Sequence, residues 1–345
     1  MTPGSTAPTS THDLSDDQLR QLLREMIGAR VFSTRAFNLQ RQGRAGTNAP
    51  VDGNEAIIVG ASHALDPTTD WVLPQYRELV GLQRFGDEVI DRYALYITGH
   101  PGGGHLPEPI RVWPPQISLA AQIPHAVGLA WGMQLQDTEG VALVFFGDGA
   151  SSEGDFYEAG NFAGVLAAPV IFLCVNNGWA ISTPTHRQTS AASFADKAAA
   201  FGFPGIQVDG TDVLAVHEAV SAARQRALAG DGPTMIEAVT YRLAPHTTAD
   251  DPTRYQPDHE VAEWRDRDPI ESMRRLLTSR NVWSDDDEQE ANEAADERME
   301  LAVQRAESAP TPADGFFDHV YATPTERMIR QRAAFQAHYG QEDGQ

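Results

Sequence analysis

The chain has 345 residues, of which 41% are hydrophobic, and it carries a formal net charge of −22 at pH 7. A chain of this size and composition can form a hydrophobic core without disulfide or metal cross-links. Its single cysteine, Cys174, excludes a disulfide within the chain. The negative charge argues against nucleic acid or an anionic membrane as the main partner.

The first 140 residues alternate helical patterns with loops. Residues 1–12 are polar and lack the charged and apolar regions of a signal peptide, so we interpret them as a disordered tail of a cytoplasmic protein. No stretch of the sequence is apolar over a transmembrane length. Apolar residues at helical spacing predict helices over residues 14–42, 55–65 and 120–136, the last of them buried. Glycines and prolines mark loops over 43–53 and 99–115, and the longer loop is expected to be ordered or functional.

The second half of the chain has the pattern of an α/β protein. Residues 141–146 and 170–175 are continuous apolar runs, which are typical of strands buried on both faces. Helical patterns at 158–166 and 213–228 alternate with these strands and with a third strand predicted over 235–241. The alternation predicts a mainly parallel sheet flanked by helices, within one domain over 13–345 that ends in a helical extension. Amphipathic surface helices are expected over 268–280 and 285–306, and the acidic run 284–297 is interpreted as a solvated helix face.

Two short polar motifs follow the buried strands directly. Gly147-Asp148-Gly149 comes after the first strand, and Asn176-Asn177 comes after the second. Residues 150–175 between them have room for one helix and one strand, so both motifs are expected at the carboxyl ends of neighbouring parallel strands, where open α/β sheets bind ligands. The Asp148 carboxylate and the Asn177 amide offer hard oxygen ligands of the kind that Mg²⁺ uses together with phosphate oxygens.

The glycines on either side of Asp148 favour an anionic ligand at this point. Gly147 and Gly149 would let the backbone approach a diphosphate closely, and the N–H groups entering the helix after Ala150 can face an anion. A lone Gly-Asp-Gly is usually only a turn. The pair of motifs at this spacing, each after a buried strand, is the fingerprint of a site for thiamine diphosphate and magnesium.

Longer segments extend this pattern to a known family. Residues 145–158 and 176–184 resemble the alpha subunits of pyruvate and branched-chain 2-oxoacid dehydrogenases. The similarity covers about residues 13–340, and the order and spacing of the motifs agree throughout. It implies the thiamine-diphosphate-binding fold. Further matching segments lie at 40–44, 73–78, 114–122 and 241–252.

The resemblance implies a role for individual residues. Magnesium would be bound by Asp148, Asn177 and the backbone carbonyl of Trp179, and Gly147, Gly149 and Ala150 would line the diphosphate. Tyr76 and Arg77 match residues that contact the diphosphate, and a guanidinium offers a fixed fork of donors to phosphate oxygens. Ile117 and Leu119 match positions that line the cofactor pocket, although plain core packing is the alternative for both. His246 lies on the loop 245–255 and matches a catalytic histidine near the diphosphate.

Three positions depart from the family's pattern. Asn48 stands where many relatives carry an aromatic or other bulky residue, and Asn54 replaces a glutamine. Trp179 takes a position that is usually Tyr or Phe, which changes nothing for a ligand that acts through its backbone. Thr247 occupies the place of a regulatory phosphoserine of mitochondrial relatives, so that form of regulation is not expected.

The implied activity is oxidative decarboxylation of pyruvate or a branched-chain 2-oxoacid, with acyl transfer to the lipoyl group of an acyltransferase component. The family's beta subunit supplies a glutamate to the cofactor's aminopyrimidine, so we expect two alpha and two beta chains. An acetoin dehydrogenase alpha subunit is the nearest alternative. A nicotinamide-dependent oxidoreductase would need a third glycine where Ser152 stands, and a non-catalytic scaffold would not need Asp148, Asn177, Arg77 and His246 together.

Overall fold

A parallel sheet forms the centre of the computed structural model, which describes residues 14–310, 315–318 and 320–339. Its strands are β1 (Trp71–Leu73), β2 (Ala142–Gly147), β3 (Val170–Asn176), β6 (Gly205–Asp209) and β7 (Thr234–Val239), and a two-stranded ribbon pairs β4 (Trp179–Ala180) with β5 (Thr183–Pro184). The sheet has the order β1-β2-β3-β7-β6, and every pair in it is parallel. The predicted fold class is therefore confirmed. The tail predicted over residues 1–12 lies outside the described residues.

Helices cover both faces of the sheet. They are α1 (Asp16–Arg41), α2 (Glu55–His63), α3 (Glu88–Ile97), α4 (Gln122–Leu135), α5 (Gly154–Leu166), α6 (Val213–Leu228), α7 (Asp258–Arg265), α8 (Pro269–Ser279), α9 (Asp285–Ser308) and α10 (Glu326–Tyr339). Most of the predicted helices agree within a few residues. Ser15 caps the N-terminus of α1, because its side chain accepts a hydrogen bond from the Gln18 N–H in a capping box.

Alternate residues of the central strands enter two separate cores. Leu143 and Phe145 pack with side chains of α1, α2, α6 and α9 on one face of the sheet. Val144 and Phe146 pack with side chains of α4 and α5 on the other face. Both faces are therefore buried, which explains why β2 reads as an unbroken apolar run. Cys174 is a fully buried member of the second core.

Some elements carry too weak a pattern to be predicted from the sequence. The strands β1 and β6 form the two edges of the sheet, and β1 has 3 residues while most of β6 is exposed. The helices α3, α7 and α10 were not predicted either. The long loop 99–115 is ordered as expected, since it contains a 3-10 turn over Pro101–Gly104 and a parallel bridge from Val112 to Val72.

The helix α4 corrects one prediction, because it is buried on one face only. Ala126 and Ala130 lie in the core, whereas Trp131 is 40% and Leu135 is 68% exposed. The prediction over the acidic run is confirmed. Its aspartates and glutamates lie mostly on the solvated side of α9, while Ala291 and Ala295 are buried. Within the described part of the chain, no helix is both long and apolar enough to cross a membrane.

Candidate functional site

The register of the sheet brings the two polar motifs together. Gly147 pairs with Val175 at the end of β2, so Asp148 and Asn177 follow neighbouring strands at the same edge. Gln75, after β1, accepts a hydrogen bond from the Gly147 N–H at 3.1 Å through its side-chain oxygen. The residues that follow β1, β2 and β3 therefore lie close together at one edge of the sheet, as expected for neighbouring parallel strands.

A cavity of about 760 Å³ opens at this point. Every residue that the sequence singled out for the site lines it: Tyr76, Arg77, Ile117, Leu119, Gly147, Asp148, Gly149, Ala150, Asn177, Trp179 and His246. Ile117 is 64% and Leu119 is 41% exposed, so the alternative of plain core packing is wrong for both. The structure thus joins segments that are far apart in the sequence.

Asp148 is a buried carboxylate with no ion-pair partner among the described residues. It is 2% exposed, and its Oδ2 accepts a hydrogen bond from Gln188 Nε2 at 2.6 Å. Burial raises the pKa of Asp148 to about 6, because the charged form has lost its hydration. A cation bound beside this carboxylate would supply the positive charge that balances it.

The donors around Asp148 fit magnesium better than a metal that needs several strong protein ligands. Among the described residues, no group of three or more His, Cys, Asp or Glu side chains could hold a metal ion. The cavity instead offers one carboxylate, the Asn177 amide and the Trp179 carbonyl. Mg²⁺ commonly binds one or two protein carboxylates and completes its octahedron with phosphate oxygens and water. The residues present therefore fit a magnesium ion that arrives with a diphosphate.

The two asparagines at the end of β3 have different partners. Asn176 Nδ2 donates to the buried Glu237 Oε1 at 2.7 Å, and Asn176 Oδ1 accepts from the Gly178 N–H at 3.2 Å. Asn176 therefore holds the turn in place. Asn177 lines the cavity, and its Oδ1 accepts only a long bond of 3.3 Å from the Trp179 N–H. This difference explains why the second asparagine of the pair is the one available to a metal.

The turn that carries Trp179 is fixed from outside the motif. Gly178 has φ +84°, in the region that favours glycine. Arg242, whose side chain is fully buried, donates from Nη1 to the Trp179 carbonyl at 3.2 Å and from Nη2 to the Ile181 carbonyl at 2.8 Å. A carbonyl oxygen has two lone pairs, so this bond orients the Trp179 oxygen and leaves one lone pair for a metal.

Only one of the two glycines around Asp148 is required by packing. A Cβ added to Gly149 would lie 2.8 Å from Ala180 Cβ, closer than real side chains approach each other. A Cβ added to Gly147 would meet nothing nearer than Gln75 Oε1 at 4.0 Å. Gly149 thus allows the ribbon of β4 and β5 to lie against the Asp148 turn, whereas glycine at 147 leaves open space at the cavity wall.

Arg77 contributes positive charge to the cavity wall and is hydrogen-bonded to His246. Arg77 is buried and donates from Nη1 to the Pro50 carbonyl at 2.6 Å and from Nη2 to the His246 carbonyl at 2.9 Å. The same Nη2 lies 3.0 Å from His246 Nδ1. Because a guanidinium can only donate, Nδ1 must accept, and the neutral ring then carries its proton on Nε2. Burial, followed by the charge of Arg77, lowers the pKa of His246 to about 4.

Sequence reasoning missed three residues that shape the site. Gln75 and Arg242 lie inside segments that resemble the family, next to Tyr76 and Tyr241, so a signal for them was present. Gln188 carried no signal, because its contact with Asp148 joins positions 40 residues apart through the ribbon of β4 and β5.

Comparison with known proteins agrees with this geometry. The chain matches the dehydrogenase E1 component family over residues 23–314. It is 43% identical over 297 residues to the pyruvate dehydrogenase E1 component subunit alpha of Staphylococcus epidermidis, an alignment that covers 86% of this chain and 80% of that protein. The protein of the same name from Staphylococcus aureus gives the same identity and coverage. These matches confirm the resemblance drawn from the motifs, and the chain belongs to the dehydrogenase E1 component family.

Proposed function

We propose that the chain is the alpha subunit of a 2-oxoacid dehydrogenase that oxidatively decarboxylates pyruvate or a branched-chain 2-oxoacid. The acyl group passes to the lipoyl group of an acyltransferase component. The observation that carries this proposal is the buried, unpaired carboxylate of Asp148 beside Asn177, at the carboxyl ends of β2 and β3. The staphylococcal relatives are pyruvate dehydrogenase subunits, which favours a 2-oxoacid over acetoin, the second candidate substrate.

The proposed cofactors are thiamine diphosphate and Mg²⁺. Asp148, Asn177 and the Trp179 carbonyl would hold the metal, and the turn of Gly149 and Ala150 would lie against the diphosphate. When bound, this cofactor supplies an electron sink for the decarboxylation. The protein contributes binding, orientation and electrostatics.

His246 has the properties of a hydrogen-bond donor toward the reacting groups. Its Nδ1 is held by Arg77, so its Nε2–H is the group left to act in the cavity. The lowered pKa keeps the ring neutral at physiological pH. A neutral imidazole beside a fixed guanidinium can donate a hydrogen bond to a developing oxyanion or thiolate and so stabilise its negative charge. We assign His246 this role during acyl transfer.

A beta subunit is the proposed partner, and two features of the chain support it. The first is a set of large exposed apolar side chains on the adjacent helices α4 and α5, namely Trp131, Leu135, Phe162 and Val165. Large exposed apolar patches commonly mark protein interfaces. The second is the absence of a free acid for the aminopyrimidine among the described residues lining the cavity. Their one glutamate, Glu78, already accepts from the N–H groups of Gln75 and Arg77 at 2.9 and 3.1 Å.

The proposal is tested on the chain purified together with its beta subunit. Calorimetry should detect thiamine diphosphate binding only when Mg²⁺ is present. Decarboxylation of pyruvate, 3-methyl-2-oxobutanoate and acetoin is then compared, with a lipoyl acceptor present. Turnover of a 2-oxoacid supports the proposal. Metal-independent cofactor binding would refute the site assignment, and turnover of acetoin alone would favour the second candidate.

A further inference from the structure

Gln188 ties the Asp148 carboxylate to the ribbon of β4 and β5. Its Nε2 donates to Asp148 Oδ2 at 2.6 Å and to the Thr183 carbonyl at 3.0 Å. A side-chain amide has two N–H groups, so each acceptor can receive one of them. The χ2 torsion of an aspartate has only a broad preference of its own, so this hydrogen bond fixes the plane of the buried Asp148 carboxylate.

The backbone that carries Gln188 is itself held against the end of β3. The Gln188 N–H donates to the Thr185 carbonyl at 3.0 Å, which closes a 3-10 turn over Thr185–Arg187. The Thr185 N–H donates to the Gly178 carbonyl at 3.1 Å, and the Thr185 hydroxyl donates to Asn176 Oδ1 at 3.3 Å. The amide of Gln188 therefore starts from a fixed point that is connected to the turn after β3.

The candidate metal ligands belong to two separate segments, which Gln188 connects. Asp148 follows β2, whereas Asn177 and the Trp179 carbonyl follow β3. Gln188 reaches from the loop after β5 to the Asp148 side chain, so the carboxylate cannot turn independently of the other two oxygens. This matters for a small cation, because Mg²⁺ requires a near-ideal octahedron at short distances. Ca²⁺ accepts a larger and variable number of oxygens in irregular arrangements.

We propose that Gln188 is a positioning residue that orients the Asp148 carboxylate for a cation and makes the site selective for Mg²⁺ over Ca²⁺. The amide uses one lone pair of Oδ2, and the carboxylate keeps further lone pairs for the metal. Hydrogen-bond partners of this kind orient the groups that bind a metal and thereby tune its affinity. This inference rests on the proposed function and adds the reason why the site takes Mg²⁺.

The test uses the chain assembled with its beta subunit. Gln188→Met removes the amide but keeps an unbranched side chain of similar length, and Gln188→Ala removes the side chain. Calorimetry with thiamine diphosphate at a series of Mg²⁺ or Ca²⁺ concentrations gives the apparent affinity for each ion. We expect both variants to weaken Mg²⁺ binding by about 10- to 100-fold, the usual effect of removing such a partner. Ca²⁺ binding should weaken much less, because Ca²⁺ tolerates an irregular site.

Thr189→Val is the matched control from the same loop. Thr189 Oγ1 accepts from the Ala191 N–H at 3.2 Å, so this substitution removes a local hydrogen bond that does not involve Asp148. The affinity for both ions should stay unchanged in this variant.

Three results with the Gln188 variants would overturn the inference. They are an unchanged Mg²⁺ affinity, an equal loss for the two ions, and tighter Mg²⁺ binding, since the amide would then compete with the metal for Asp148. The proposed function is tested separately by the unmutated assembly. If that assembly bound thiamine diphosphate equally well without a divalent cation, the metal site of the proposed function would itself fail.

Discussion

Arg77 Nη2 lies 3.0 Å from His246 Nδ1, although the two residues are 169 positions apart in the chain. The same nitrogen also donates to the His246 carbonyl at 2.9 Å, so one guanidinium fixes both the ring and the backbone of the loop. The arrangement determines the tautomer of the histidine, and burial together with the charge of Arg77 lowers the pKa of its ring. Arg77 therefore does more than add positive charge for a diphosphate, and replacing it affects the loop as well.

The first prediction concerns the metal site. Asp148→Asn should weaken magnesium-dependent binding of thiamine diphosphate by at least about 100-fold, because even outer-shell partners of metal ligands contribute 10- to 100-fold. The free energy of unfolding of the cofactor-free protein should stay equal or rise, since burial disfavours the charged carboxylate. Calorimetry and thermal unfolding measure the two effects. Unchanged cofactor affinity in the variant would contradict the metal assignment.

The second prediction concerns the role of His246 in turnover. His246→Gln should bind thiamine diphosphate normally, yet lose ~100- to 1,000-fold of its turnover with a lipoyl acceptor, the range for removal of one hydrogen-bond donor to a developing negative charge. Asp250→Asn is the matched loop variant, because Asp250 Oδ2 accepts from the His246 N–H at 2.8 Å without contacting the ring. It should lose less activity. Near-normal overall turnover in His246→Gln would show that the role is wrong.

The third prediction concerns the pH dependence of His246. The pKa of the His246 ring is about 6.5 in the unfolded chain and about 4 in the folded protein, so folding makes the ring harder to protonate. Stability from this group is therefore fully present above about pH 6.5 and is lost as the pH falls toward 4. Histidine NMR resonances should include one that titrates near pH 4 and is missing from His246→Gln. A midpoint near 6.5 for that resonance would contradict the burial of the His246 ring beside Arg77.

The fourth prediction separates the two glycines around Asp148. Gly149→Ala should lower the free energy of unfolding by ~1–3 kcal/mol, the usual cost of overpacking, because the new Cβ meets Ala180 Cβ at 2.8 Å. Gly147→Ala has no contact nearer than 4.0 Å and should unfold like the unmutated protein. Chemical denaturation of the cofactor-free chains provides the comparison. Equal stabilities for the two variants would show that the β4 and β5 ribbon does not press against the turn.

The fifth prediction concerns the partner. The isolated chain should show no cofactor-dependent decarboxylation with an artificial electron acceptor, and activity should appear when the beta subunit is added. Leu135→Asp places a charge among the exposed apolar side chains of α4 and α5 and should prevent assembly without unfolding the chain, because Leu135 is 68% exposed. Size-exclusion chromatography and the activity assay give the result. Full activity of the isolated chain would refute the two-subunit proposal.

The sequence by itself determined the central strands and the residues that follow them. The runs 141–146 and 170–175 are apolar at every position because both faces of β2 and β3 are buried. Such a run can be recognised in the sequence even when the elements that pack against it are unknown. Parallel pairing then fixes where Asp148 and Asn177 lie. The edge strands β1 and β6 escaped prediction, because a short or exposed strand buries too few residues to impose a period on the sequence.

Only the tertiary structure decided which side chains contact each other in the cavity. Nothing in the spacing of Arg77 and His246, or of Gln188 and Asp148, predicts that they contact one another. The pattern also gave no reason to expect an unpaired amide at Asn48. The physical reason is the same in each case. A periodic pattern reports which face of an element is buried, whereas the partner of a polar group depends on how distant segments pack.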